Sequence, residues 1–130
     1  MAARLITSTE RVRAGDVLEL VVVLTVDPGY EIYSLDASAP KVPTALQLQL
    51  PAGFTALQDW ESPAPVRSLN PPGHAVHTGE SRFVRQIRVA EDAEPGEYLL
   101  ACSVSYQACD SRQCLRPVES TLSVAVSVTR

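Results

Sequence analysis

The stretch "TLSVAVSVT", Thr121 to Thr129, alternates Leu122, Val124, Val126 and Val128 with Thr121, Ser123, Ala125, Ser127 and Thr129. A period of two puts the branched side chains on one face and the small or polar ones on the other, the pattern of a strand buried on one side. The same period recurs in Leu46, Leu48 and Leu50 against Gln47 and Gln49. It recurs again between Glu97 and Gln107, where Tyr98, Leu100, Cys102, Val104 and Tyr106 share a face. Val17 to Val26 is apolar on both faces apart from Glu19 and Thr25, so it reads as a central, covered strand.

Turn signals separate these runs. "DPGY" (Asp27–Tyr30), "PPGH" (Pro71–His74) and "EPGE" (Glu94–Glu97) each set proline where φ near −65° is wanted and glycine where φ must be positive, as type II turns require. No run of ten or more residues carries a helical period, and the ten prolines leave few windows for a helix. Many short strands with frequent reversals predict an all-β fold, an immunoglobulin-like β-sandwich. The antibody-type signature of two distant cysteines bridging sheets beside a tryptophan is absent, which argues against that kind of recognition domain. From Asp59 to Gly79 the alternation lapses. That stretch holds Pro63, Pro65, Pro71 and Pro72 and both histidines, and it reads as a structureless segment, either a lid over a site or a plain connection.

A chain of 130 residues fits one domain with a real core, and no apolar run approaches the roughly 18 to 20 residues that cross a bilayer. The start, "MAARLITSTERVRAGD", lacks the apolar stretch of a secretory signal, so the protein is either cytoplasmic or has lost a leader. Net charge is −4 and the arginines are scattered, so nucleic acid is not an expected partner.

The chemistry-bearing stretch is "YQACDSRQCLRP", Tyr106 to Pro117. On one extended strand Cys102 and Cys109 would lie about 23 Å apart with side chains on opposite faces, too far to bond. Cys109 and Cys114 can meet by flanking a tight connection, and Cys102 reads as a buried core thiol. A loop this short closes little chain entropy, so a purely structural staple would contribute weakly. Redox use and a staple both stay open at this point. A zinc or copper site joining His74 and His77 to the two sulfurs is a third use, against which stands the missing C-x-x-C spacing. Arg112 and Arg116 favour a thiolate and Asp110 opposes it, so the local charges nearly offset.

The Tyr106–Pro117 stretch resembles the active-site hairpin of the amino-terminal periplasmic domain of the thiol:disulfide interchange protein DsbD. In that family a Tyr-Gln dipeptide leads into the first cysteine, and an apolar residue and a proline follow the second. "GYEIYS" (Gly29–Ser34), "PTALQLQLPAGF" (Pro43–Phe54) and the Trp60–Pro65 segment extend the likeness over nearly the whole chain. The four-residue spacing between the cysteines is more similar to the related disulfide bond corrector domain, and Arg116 stands where the family often has a first proline.

The resemblance implies an immunoglobulin-like sandwich in which residues 1–130 form a single domain excised from a longer membrane protein. It would be periplasmic or otherwise extracytoplasmic and monomeric, and would act as the redox-active part of a protein-disulfide reductase with no cofactor or metal. Its implied partners are a thioredoxin-like domain and a membrane-embedded electron donor, and its clients include isomerases and cytochrome c maturation factors. Cys114 would form the mixed disulfide and Cys109 would resolve it. Tyr106 and Gln107 would shape the strand entering the site, Arg112 would lie at its tip, and Trp60 is the candidate for an aromatic cap. The competing expectation is a non-catalytic immunoglobulin-like interaction module whose hairpin disulfide is structural.

Overall fold

The computed structural model describes residues 2–37, 42–69 and 72–130. Among these there is no helix, and the strands form three four-stranded sheets. The first sheet runs β1 (Ala2–Thr7), β3 (Val17–Thr25), β9 (Glu80–Val89), β6 (Phe54–Glu61). The second runs β2 (Arg11–Arg13), β12 (Val118–Thr129), β10 (Gly96–Tyr106), β5 (Ala45–Gln49). These two sheets face each other as an immunoglobulin-like sandwich. One inner face supplies Leu18, Leu20, Val22, Phe83 and Ile87, the other Leu100, Cys102, Val104, Val126 and Val128. As its alternation predicts, β10 buries Leu100, Cys102, Val104 and Tyr106, and Cys102 is a free thiol with no exposed surface. Burial pushes that thiol up to about 11, because a thiolate there would lose its hydration.

β3 is the central strand its composition predicts, paired antiparallel to β1 on one side and β9 on the other. β12 carries a pairing the pattern does not announce: Val12 of β2 lies parallel to Val128 at the sheet edge. "DPGY" makes its type II turn, with the Tyr30 amide donating to the Asp27 carbonyl at 3.1 Å and Gly29 at φ 85°. The other two proline-glycine pairs differ. Gly96 opens β10 at φ 149°, and Gly73 falls inside a strand.

The third sheet corrects the reading of Asp59–Gly79 as structureless. Its order is β11 (Ala108–Cys109), β4 (Glu31–Tyr33), β8 (Pro72–His77), β7 (Val66–Leu69). Pro71, the first residue of the expected "PPGH" turn, lies outside the described residues. Proline is tolerated at the first residue of a strand, as Pro72 is in β8, and Pro63 and Pro65 precede β7. What conceals these strands in the sequence is brevity: two to six residues give alternation too little length to register.

β10 and β11 are separated by Gln107 alone, and the chain passes there from the sandwich to the small sheet. The expected single strand from Glu97 to Cys109 is therefore broken. Ala108, Ile32 and His77 are register partners across three strands and share one face, which Ala108 and Ile32 turn into the sandwich core. Cys109 and Glu31, each one residue away, share the opposite face.

Candidate redox site

Cys109 and Cys114 are disulfide-bonded, with Cα atoms 4.0 Å apart. They form an antiparallel bridge flanked by two backbone bonds, Asp110 N–H to Gln113 O and Leu115 N–H to Ala108 O, both 2.9 Å. Directly opposed residues between two such bonds are the close pair of an antiparallel ladder, where side chains meet most easily. Ser111 and Arg112 make the turn.

Several other bonds hold this hairpin. The Asp110 carboxylate accepts the Arg112 and Gln113 amides, both at 2.8 Å, an Asx-type turn. Those two donors hold its pKa below the usual carboxylate range. Gln107 Nε2 donates to the Leu115 carbonyl at 3.0 Å and so straps the returning strand to the outgoing one. Tyr106 closes β10, buried and opposite Val118, and burial, then the charge of Asp27, raises its phenol pKa.

The two sulfurs are not equivalent. Cys109 is 3% exposed, whereas Cys114 lies in an uninterrupted run of exposed residues from Ser111 to Glu119. Leu115 and Val118 lie in the same run and present apolar surface beside Cys114. Thiol–disulfide exchange needs access to the attacked sulfur, and Cys114 is the more exposed residue of the pair. Arg112 is exposed at the tip and is close enough to add to the lowering of Asp110.

Sequence reading misses Glu31, the register partner of Cys109 on β4. Directly opposed side chains have Cβ atoms about 4.5 to 5.5 Å apart, so the Glu31 side chain leaves its strand beside Cys109. The Ser68 hydroxyl from β7 donates to Glu31 Oε1. The glutamate lies in the "GYEIYS" stretch, but only the register assigns it to Cys109.

Trp60 lies elsewhere. Between Leu57 and Glu61, β6 takes four steps against two on β9, with Gln58 at φ 54°. This bulge turns the Trp60 ring into a cavity whose walls include His77, Ser34 and Asp36 but no residue of the Tyr106–Pro117 hairpin. His77 is 3% exposed, the side chain of His74 is outside the described residues, and no cluster of three metal-ligating side chains occurs among the described residues.

Set beside solved structures, this architecture matches the N-terminal periplasmic domain of ScsB from Proteus mirabilis, with a TM-score of 0.62 over 94% of this chain. The chain has the fold of that domain. Identity over the match is 14%, and the chain spans 45% of the length of that structure's chain, so the likeness is one of fold. No protein-family profile matches the sequence, and no curated protein matches it.

Proposed function

We propose that this chain is an extracytoplasmic, DsbD-like thiol–disulfide exchange domain. In this reading Cys109 and Cys114 relay electrons from a thioredoxin-like or membrane-embedded donor to oxidised client proteins. The observation that carries the reading is the inequality of the two sulfurs: an exposed Cys114 bonded to a buried Cys109 in a hairpin that other bonds already hold. A staple adds little to a turn closed by Asp110 and Gln107. A labile bond costs that turn little when it opens.

The cycle balances through thiols alone. A donor thiolate attacks Cys114 Sγ, the Cys109–Cys114 bond breaks, and Cys109 leaves as a thiolate that takes up a proton. The donor's second thiolate then attacks its own half of the mixed disulfide and releases Cys114. Two electrons now reside on the domain and the donor is oxidised. In the second half Cys114 attacks a client disulfide and Cys109 attacks Cys114 Sγ, which releases the client as a dithiol. Cys109 is the covered member of the pair, so it acts on the mixed disulfide only through Cys114 Sγ. Arg112 at the tip offers partners a positive charge beside the exposed sulfur.

The test is the reduction potential of the pair, read by alkylation after equilibration in thiol buffers. A value in the range of about −180 to −270 mV, where exchange proteins lie, is expected; one well below about −300 mV marks a structural bond and overturns the proposal. Cys109→Ser is expected to trap a mixed disulfide with a thioredoxin-like protein through Cys114, and Cys114→Ser is not.

A further inference from the structure

The edges of the sandwich are not alike. β2 has three residues, two of them Arg11 and Arg13, and β5 has five residues between Pro43 and Pro51. β6 carries its bulge together with Asp59 and Glu61, and β1 sets Arg4 in mid-strand. Short length, prolines, bulges and charges are what keep exposed edges from pairing with other chains. β12 lacks these along most of its length. Its ladder with β10 is unbroken from Val118 to Val128, but β2 pairs its other side only from Ser127 onward. The stretch Val118 to Val126 therefore has one open side, contains no proline and has Glu119 as its single charge.

Backbone and side chains both mark the opening. The Ser127 amide donates to the Glu10 carbonyl at 2.9 Å, away from β10, so in an unbroken ladder the amides and carbonyls of Glu119, Thr121, Ser123 and Ala125 also point away from β10. None of these has a backbone partner among the described residues. Among the inward side chains, Val126 and Val128 are 1% and 2% exposed where β2 pairs, whereas Leu122 and Val124 are half-buried and Val118 is 42% exposed. β1 stands across the opening in the facing sheet without pairing to β12. Between them, with Ile6 and Thr7 on one side and Val124 and Ala125 on the other, runs an open groove of about 650 Å³. A strand added there continues the line of β2 and covers both half-buried side chains.

We propose that this strand is β12 of a second copy, and that the chain pairs with itself about a two-fold axis at Leu122. An antiparallel register that sets Leu122 against its own copy opposes Val118 to Val126, Glu119 to Ala125, Ser120 to Val124 and Thr121 to Ser123. This register pairs the whole open stretch, and a shift either way leaves part of it bare. The Glu119–Ala125 and Thr121–Ser123 pairs each occur twice and exchange two backbone bonds apiece, about eight in all. The one carboxylate meets alanine and not another charge, and threonine meets serine, a pair that bonds across strands. Pairing stops where the chain requires it: the next opposition sets Pro117, which has no amide, against Ser127, whose amide is already bound to Glu10. Each copy has one such edge, so the contact closes as a dimer, where the family resemblance implies a monomer. The pairing uses the edge alone and does not involve the disulfide.

Sedimentation velocity of the intact protein from about 10 µM to 1 mM is the experiment, and a reversible monomer–dimer equilibrium with a Kd on the order of 100 µM is expected for so narrow a contact. Thr121 and Ser123 are exposed on the outer face, so substitution there spares the core. Ser123→Lys sets two like charges diagonally across the axis and is expected to weaken the dimer about tenfold. Adding Thr121→Glu to that variant opposes each ammonium with a carboxylate and is expected to restore the Kd to within about threefold. In the unsubstituted protein, the Thr121 and Ser123 amides are expected to exchange hydrogen about fourfold more slowly at 1 mM than at 10 µM, following the fall in free monomer. A monomer at every concentration overturns the proposal and leaves the edge to a strand of a different protein. A dimer indifferent to Ser123→Lys, a failure of the added Thr121→Glu to restore it, or amide exchange that ignores concentration also overturns it, the last whether or not the variants fold.

Discussion

Reducing the Cys109–Cys114 bond should leave the domain folded and only modestly less stable. The cysteines are five apart in sequence, so the closed loop holds about six residues, and the chain-entropy expression gives about 2 kcal/mol at most. The bonds that hold the hairpin without the sulfurs restrict the reduced chain in the native state, and neither cysteine belongs to the core cluster of the sandwich. For 130 residues the unfolding entropy is about 270 cal/mol/K, so 2 kcal/mol corresponds to a fall in Tm of about 7 °C. The same coupling must appear in the potential. At about 30 mV per 1.4 kcal/mol, folding lowers the potential of the pair by only about 45 mV relative to the unfolded chain. Thermal unfolding followed by near-ultraviolet circular dichroism, with and without reductant, measures the first quantity. Loss of the near-ultraviolet signal on reduction at 25 °C, or a fall in Tm more than about twice the stated shift, would refute the reasoning and mark the bond as a structural staple.

Three further expectations concern single groups. With its thiol raised to about 11 and buried between Leu100 and Val104, Cys102 should not react with a thiol reagent at pH 8 in the native oxidised protein, yet should react fully once unfolded. A native thiol signal would count against this core. Asp110 has a folded pKa below its unfolded value, so its contribution to the turn is complete above roughly pH 4 and fades as pH falls through the depressed folded value. The amide shifts of Arg112 and Gln113 should therefore hold steady from neutral pH down to about pH 5, and a transition within that range would contradict the assigned bonds. In a Cys114→Ser background, Glu31→Gln should speed alkylation of Cys109 at neutral pH by about three- to tenfold, because the residue opposite Cys109 loses its negative charge. An unchanged rate would show that the carboxylate does not act on that thiol.

The sandwich was legible because its strands are long and one-sided. The nine residues of β3, eleven of β10 and twelve of β12 carry enough alternation to fix both the strand and its inner face. The small sheet was not legible, for the opposite reason: β4 and β11 have three and two residues, and β8 begins at a proline. The cysteine pair could be argued locally, since Cys109 and Cys114 flank one turn. The glutamate opposite Cys109 could not, because Glu31 and Cys109 are far apart in sequence and meet only through the register of two very short strands. Trp60 stood out as an aromatic in a proline-rich stretch, but the bulge after Leu57 sends it to the His77 cavity, which no local pattern foretells.

The unequal exposure of the two sulfurs also constrains the order of events. With Cys109 covered and Cys114 open, the proposed exchange would have one point of entry, which a donor and a recipient of electrons would occupy in turn. In that reading no ternary complex would form there. Turnover would follow ping-pong kinetics, with parallel lines in double-reciprocal plots as the second substrate is varied, and an excess of either oxidised client or oxidised donor would compete for the same sulfur.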